Sequence, residues 1–352
     1  MQADNILITG GAGFIGSHCV LVLLELNYNV IVIDNCSNSF CEKSVSKPEA
    51  LIRVEKLTKK TLQFFQADIQ NCENLRNIFK EFKISCVIHC AAFKSVKESW
   101  DVPLSYYFNN ISGSLNLLTV MNEFNIKKFI FSSSSTVYGE PQFLPITEEH
   151  PTGQNCANPY GRTKFMVEEI LKDLSVSDKE WCIYSLRYFN PVGAHPSGEI
   201  GEDPVGIPNN LMPVISQVAV GKLKLLNIYG NDYDTVDGTG VRDYIHIMDL
   251  AYGHIAALVA LLQENNLGVF KAYNLGTGSG TSVLQLINTF ENVNNVKIPY
   301  KIVERRTGDT AASYCAVQLA KKELNWEAKY GITDMCRDAW NWQSKNPKGY
   351  QK

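Results

Sequence analysis

The sequence contains ten cysteines but no Cys-x-x-Cys pair. The nearest spacings, Cys86/Cys90 and Cys36/Cys41, match neither a zinc site nor a dithiol redox motif. Cys19, Cys86, Cys90 and Cys182 lie in apolar surroundings, so reduced, mostly buried thiols and no metal are expected. A basic block is also lacking. Lys and Arg number 33 against 36 Asp and Glu, a net charge of −3, which argues against a nucleic acid as partner. No run reaches the roughly 18 apolar residues of a membrane span. Met1-Gln2-Ala3-Asp4-Asn5 leads into an apolar strand without a basic n-region or cleavage site, so a cytoplasmic location and no membrane partner are expected. Internal repeats and low-complexity tails are absent too.

What is present begins with alternation. Asn5 to Thr9 reads as a buried strand, Gly16 to Leu26 as a helix and Asn29 to Ile33 as a second strand. Thr61 to Gln66, Cys86 to His89, Lys128 to Ser132 and Trp181 to Tyr188 read as further strands. Helices are expected over Glu73 to Glu81 and from about Val102 to Phe124. Strands separated by helices imply an α/β fold, a doubly wound parallel sheet of the Rossmann type covered on both faces. The second half is less regular. Asn190 to Asn210, rich in Gly, Pro and Asn, is expected to be a long loop. Val241 to Ile247 and Ala272 to Leu275 look like short strands, and Ser282 to Glu291 looks helical. The expected division is a nucleotide-binding domain over 1–189 and a smaller C-terminal α/β substrate domain over 190–352, with about 241–275 packing back on the first.

Gly10-Gly11-Ala12-Gly13-Phe14-Ile15-Gly16 follows the first strand and opens the first helix. Small residues let the backbone approach a pyrophosphate, and the helix N-terminus offers unpaired N–H groups and a favourable dipole. Asp34 ends the second strand, where a carboxylate accepts from ribose hydroxyls and repels a 2′-phosphate, favouring NAD over NADP. Asp68 and Ile69 follow the third strand, placed for the adenine; an Asx-turn is the alternative for Asp68.

Tyr160-Gly161-Arg162-Thr163-Lys164 puts a phenol and an ammonium on one helix face. A tyrosine of pKa near 10 is a poor base at neutral pH, and a nearby ammonium favours the phenolate. By itself such a pair usually marks a surface helix. About 25 residues upstream, Phe131-Ser132-Ser133-Ser134-Ser135-Thr136-Val137-Tyr138-Gly139 follows a strand and supplies hydroxyls that can reach the same substrate oxygen, Ser134 being the candidate.

With these residues the chain resembles the extended short-chain dehydrogenase/reductases, and within them the 4-epimerases of UDP-hexoses. The resemblance runs essentially end to end. It is carried most specifically by Ala91-Ala92-Phe93-Lys94-Ser95-Val96, by Leu186-Arg187-Tyr188-Phe189-Asn190-Pro191 and by Asp237-Gly238-Thr239-Gly240-Val241-Arg242-Asp243-Tyr244. It implies an isomerase of galactose metabolism: NAD borrows a hydride from C4, a 4-keto sugar turns over, and the hydride returns to the other face. The catalytic residues would be Tyr160, Lys164 and Ser134. NAD would be met by Gly10, Gly13, Phe14, Ile15 and Gly16, by Asp34, Asn35, Cys36, Ser37 and Asn38, and by Asp68, Ile69, Cys90, Lys94, Tyr160, Lys164 and Tyr188. Ser134, Ser135, Thr136, Tyr188, Phe189 and Asn190 would face the sugar. Asn209, Asn210 and Leu211 with Asn227, Ile228 and Tyr229 would hold diphosphate and uracil, Arg242 and Arg306 the pyrophosphate, and Asp309 the ribose. The resemblance also implies a homodimer, built on the helix near Val102 to Phe124 and the one from Tyr160 to Leu174. One position departs from the family. A bulky tyrosine is frequent four residues after the aspartate matching Asp309; here Ser313 stands there, followed by Tyr314, leaving room for an N-acetyl group at C2. The alternatives are a nucleotide-sugar 4,6-dehydratase and a non-catalytic NAD-binding regulator. Dehydration commonly uses an Asp-Glu pair directly after the serine, and this chain has Ser135-Thr136.

Overall fold

The computed structural model describes residues 4–41, 46–154, 156, 158–204, 206, 208, 210–306 and 308–351. Ile6–Ile8, Val30–Ile33, Cys86–Ile88 and Phe129–Phe131 are unbroken buried runs, as strands covered on both faces must be. They form the middle of a seven-stranded sheet. Its order is Val269–Leu275, Cys182–Tyr188, Lys128–Ser132, Cys86–His89, Asn5–Thr9, Asn29–Asp34 and Gln63–Gln66. Pairing from Cys182–Tyr188 through to Gln63–Gln66 is parallel throughout. The chain steps outward from Asn5–Thr9 in one direction and resumes on its other side with Cys86–His89. Strand order therefore reverses beyond the carboxyl ends of these two strands, where the crossover helices part and leave a crevice.

The chain separates into two units. The first comprises Met1–Gly139, Pro151–Arg187 and Ala251–Tyr273, and the second Glu140–His150, Tyr188–Leu250 and Asn274–Lys352. Within the first, the helix Phe14–Glu25 is buried from Gly16 to Leu24, because the helix Glu49–Thr58 covers the side the sheet leaves open. The helix Cys72–Glu81 starts where the Asn71 side chain accepts from the Glu73 and Asn74 amides.

The long helix expected over Val102 to Phe124 runs from Pro103 to Glu123, with a π-helical turn, Phe108–Ser112, between its α-helical parts Pro103–Tyr107 and Gly113–Glu123; Val96–Asp101 precedes it. The wide turn points two successive side chains, Asn109 and Asn110, into the interior, where they bond to each other at 2.9 Å. Just beyond it Gly113 lies against Ile69, where a Cβ would fall 2.6 Å from the Ile69 Cδ1.

In the second unit, Val241–His246 is the central strand. Gly280–Ser282 runs antiparallel to it, while Ala312–Ser313 and Asn190–Val192 pair in parallel with its beginning and its end. The segment expected to be a loop from Asn190 onward thus opens with a strand, which side-chain composition could not reveal because its partner lies some fifty positions away (Asn190 opposite Tyr244). A separate parallel pair joins Leu226–Tyr229 to Tyr300–Val303. Met212, Ile215, Ile228, Tyr244, Leu286, Phe290, Met335 and Cys336 form the core. They come largely from the helices Leu211–Ala219, Val283–Asn294 and Ile332–Lys345, the second of which opens with a Ser282/Gln285 capping box.

All ten cysteines are free thiols. Cys19, Cys86 and Cys182 are buried, whereas Cys90 is only partly so, because it leaves the strand at the crevice. Among the described residues no helix is long and apolar enough to cross a membrane, and no group of His, Cys, Asp or Glu could hold a metal ion.

Candidate active site

In the first unit the glycine-rich turn leaves Asn5–Thr9 at the switch point. Gly10 has φ +70°, and a Cβ there would lie 2.6 Å from the Ala91 nitrogen. A Cβ at Gly16 would lie 2.2 Å from the Gly10 oxygen. Both positions therefore exclude any side chain. Gly13 caps the helix with extended backbone and no side-chain hydrogen bond, so Phe14 and Ile15 begin a helix whose first amides are open to an anion. Lys94 brings its ammonium 5.9 Å from the centroid of the Phe14 ring. A pyrophosphate fits this cradle by shape and by charge.

Asp34 is buried, and each of its oxygens is fixed: Oδ2 accepts from the Ala12 amide at 3.0 Å and Oδ1 from the Cys36 amide at 2.8 Å. Burial pushes its carboxyl up, and the Cys36 and Ala12 amides oppose that. Each oxygen keeps a lone pair for a ribose hydroxyl. Asn35 donates from Nδ2 to Asp68 Oδ2 at 2.9 Å and accepts at Oδ1 from the Ser37 amide at 3.0 Å. Asp68 also accepts from the Gln70 amide at 2.8 Å, so it forms an Asx-turn as well as joining the cofactor-side loop. Ile69 is buried, and Ser37 and Asn38 are exposed. Cys90 Sγ lies 3.1 Å from Ser132 Oγ, which in turn lies 3.0 Å from His254 Nε2.

The helix Pro159–Ser177 begins where Asn158 accepts from the Gly161 amide at 2.8 Å and Pro159 sets the first φ. Tyr160 thus sits in the first turn, where the helix dipole favours a phenolate. The phenol is pushed up to about 12, mainly by burial, with Ser134 opposing the rise. Ser134 itself accepts from the Thr136 amide at 3.2 Å and from the Thr136 hydroxyl at 3.0 Å, opening the short helix Ser135–Tyr138. Lys164 donates to the Ser132 carbonyl at 2.7 Å and lies 4.8 Å from the centroid of the Phe131 ring. Burial lowers its ammonium to about 8, against the opposing charges of Cys90 and Glu168. Asn110, missed in the sequence, fastens this helix from behind. It donates to Thr163 Oγ1 at 3.0 Å and accepts from the Phe93 amide at 2.8 Å, while Thr163 donates to the Tyr160 carbonyl at 2.7 Å. Only the π-helical turn gives Asn110 that direction.

The second unit gathers a different set. Arg242 Nη1 donates to the carbonyls of Val241 at 2.8 Å and Thr310 at 2.9 Å, and Nη2 lies 4.0 Å from Asp309 Oδ1. Arg306 Nε donates to Asp309 Oδ2 at 2.9 Å, and its guanidinium lies 4.7 Å from the centroid of the Tyr229 ring. One carboxylate thus holds two guanidinium forks beside an exposed aromatic face. Asn227 and Tyr229 point outward from their strand, but Ile228 points into the core, so it can offer a ligand only its backbone. Asn210 precedes the helix Leu211–Ala219 in extended backbone, and Leu211 packs on the core; Asn209 lies outside the described residues. Tyr188 and Phe189 are buried, the Phe189 amide donates to Leu275 O at 3.1 Å, and Asn190 donates to Asp243 O at 3.0 Å. Ser313 pairs with Arg242 in the strand register, and Tyr314 faces elsewhere: a Cβ at Gly280 would lie 3.2 Å from its ring.

A buried Tyr-x-x-x-Lys helix against a serine loop, on a switch-point sheet with a phosphate cradle, defines a class: the nucleotide-dependent short-chain dehydrogenase/reductases, here of the extended kind with a second unit. A family model described as GDP-mannose 4,6 dehydratase matches residues 7–339. UDP-glucose 4-epimerase from Drosophila melanogaster is 55% identical over 350 residues, covering 99% of each chain. The Homo sapiens UDP-glucose 4-epimerase is 53% identical over 349 residues, again covering 99% of each. The crystal structure of UDP-glucose 4-epimerase from Bifidobacterium longum in complex with NAD+ and UDP superposes with a TM-score of 0.92 at 50% identity, covering 98% of this chain and 100% of that one. The chain belongs to the UDP-glucose 4-epimerase family.

Proposed function

We propose that the protein inverts C4 of UDP-hexoses, interconverting UDP-galactose and UDP-glucose through a 4-keto sugar with NAD as its resident cofactor, in the cytoplasm. The observation that carries this reading is the buried Tyr160, near enough to Ser134 for that side chain to lower its phenol pKa, one helical turn from the buried Lys164. The first unit serves the cofactor, through Gly10 to Gly16, Asp34 to Asn38, Asp68, Ile69, Cys90 and Lys94. When bound, NAD takes up the C4 hydrogen as hydride and gives it back to the opposite face. Tyr160 removes the proton of the C4 hydroxyl and later returns it, Ser134 hydrogen-bonds the same oxygen, and Lys164 stabilises the phenolate. The second unit serves the uridine diphosphate: Arg242 and Arg306 take the diphosphate charge, Tyr229 offers a face to uracil, and Asp309 accepts from ribose.

Dehydration is disfavoured by the residues beside Ser134, since Ser135 and Thr136 provide no carboxylic acid or base for elimination. Ser313 carries the finer reading, that the N-acetylated pair UDP-GalNAc and UDP-GlcNAc is also interconverted. Its small side chain leaves the C2 side open, and the Tyr314 ring, turned toward Gly280, does not replace the missing bulk. Purified protein is expected to form UDP-glucose from UDP-galactose and UDP-GlcNAc from UDP-GalNAc, with Ser313→Tyr losing only the second activity. Absence of the first product overturns the whole reading; absence of the second removes the N-acetyl part.

A homodimer fits the surface of the first unit. Trp100, Leu104, Phe108, Leu115 and Met166 are 40–71% exposed on the helices between Val96 and Glu123 and on Pro159–Ser177. Sedimentation equilibrium should give a dimer for the wild-type chain and a monomer for Leu104→Glu. A monomeric wild type would rule the assembly out.

A further inference from the structure

Behind the Ser134 loop lies a buried ion pair that no step of the reaction above employs. Glu168 and Arg187 are 0% and 3% exposed. Glu168 follows Lys164 by one turn on the helix Pro159–Ser177, and Arg187 belongs to the strand Cys182–Tyr188. Glu168 Oε1 accepts from Ser133 Oγ at 2.6 Å, Ser185 Oγ at 2.8 Å and Arg187 Nε at 3.0 Å, and Oε2 accepts from Arg187 Nη2 at 2.6 Å. Arg187 Nη1 donates to the Tyr138 hydroxyl at 3.1 Å, and the guanidinium lies 5.0 Å from the centroid of that ring.

The ion pair therefore grips the loop on both sides of the hydroxyls meant for substrate: Glu168 holds Ser133, just before Ser134, and Arg187 holds Tyr138, two residues after Thr136. It joins them to the same helix that carries Tyr160. A buried ion pair is poor evidence of stabilisation, because well-packed apolar residues of similar volume often serve the fold as well or better. What an apolar pair cannot do is fix a hydroxyl loop in register with a helix.

We propose that Glu168 is a positioning residue for epimerisation, holding Ser134 in register with Tyr160 through Ser133. The inference rests on the assignment of Tyr160, Lys164 and Ser134 as the reacting centre. The groups facing Lys164 are Tyr160 and Glu168 from its own helix, Cys90 and His89 from the end of the neighbouring strand, and the Ser132 carbonyl. His89 is neutral, lowered to about 3 by burial and by Lys164. Removing the Glu168 charge thus takes away a group that raises the Lys164 ammonium against the effect of burial.

The test is Glu168→Gln, assayed on the NAD-loaded protein with UDP-galactose. The expected result is a fall in kcat of about ten- to a hundredfold, the cost of slight misplacement of a reacting group. KM and NAD content are unchanged, and the alkaline limb of the kcat profile moves to lower pH. Ser133→Ala, which removes one donor and no charge, lowers kcat less and causes no further loss when combined with Glu168→Gln. A folded Glu168→Gln with wild-type kcat and pH limb overturns the proposal, as does an effect confined to KM. If Glu168→Gln does not fold, an unchanged kcat in Ser133→Ala overturns it. If the wild-type protein does not epimerise, it is the assignment of the reaction that fails. The positioning is then read from the ultraviolet titration of the Tyr160 phenol, with Tyr160→Phe as blank. Glu168→Gln should move that titration to higher pH, and no movement overturns the proposal.

Discussion

Tyr160→Phe is expected to lower kcat for UDP-galactose by about 10²- to 10⁴-fold, the range over which a positioned proton-transfer group contributes. The ring fills the same buried space, so fold and NAD content should be unaffected, and only the oxygen that exchanges the C4 hydroxyl proton is removed. The protonation balance around this residue explains why so much rests on one atom. Burial is the main cause of a phenol pushed up to about 12, a value that leaves it inert near neutrality. Ser134 and the start of the Pro159–Ser177 helix work in the other direction. The positive nicotinamide of the bound cofactor adds to them. Kinetics at saturating substrate, with NAD measured after release from the denatured protein, check the prediction. A variant within about tenfold of wild type would assign the proton to another group.

The second large effect is on stability. Arg187→Leu is expected to cost about 3–5 kcal/mol, the usual consequence of leaving a buried charge without its partner. Here the orphan is Glu168, fully buried, with only Ser133 and Ser185 left as donors among those described above. The double variant Arg187→Leu with Glu168→Leu should recover most of that loss, because neither charge then remains to be desolvated. Urea unfolding midpoints of wild type and both variants measure this. A single variant within about 1 kcal/mol of wild type would mean that water or another cation reaches Glu168. Recovery of stability in the double variant without recovery of turnover would separate holding the fold from holding the Ser134 loop.

The glycine-rich turn, the Asp34 strand end and the Tyr160–Lys164 helix were largely legible in the sequence, because the signals are local. Gly10 to Gly16 lie between a strand and a helix, Asp34 ends an apolar run, and a four-residue spacing puts Tyr160 and Lys164 on one helix face. The surrounding support was not legible for the opposite reason. Glu168 acquires its surroundings from Ser133, Ser185 and Arg187, which only strand pairing brings to it. Asn110 turns inward through a π-helical turn that side-chain periodicity does not encode. The segment Glu140–His150 belongs with the second unit because Ile146 bridges to Cys315, a pairing without local trace. Other features do carry a local signal. The helix Ile332–Lys345 repeats buried residues at Met335, Ala339 and Trp342, a spacing that marks one apolar face. Alternation along Leu226–Tyr229 likewise sends the Ile228 side chain inward and Asn227 and Tyr229 outward.

The helix Phe14–Glu25, buried along nearly its whole length, bears on time as well as on shape. Its first turn is held by everything packed around Gly16 to Leu24, so the phosphate cradle is ordered when the chain folds and little freedom remains to be lost when a dinucleotide arrives. A preformed cradle of this kind favours long residence. For a reaction that returns its cofactor to the starting oxidation state in every cycle, slow departure costs no turnover, and the dinucleotide can behave as a lasting part of the enzyme.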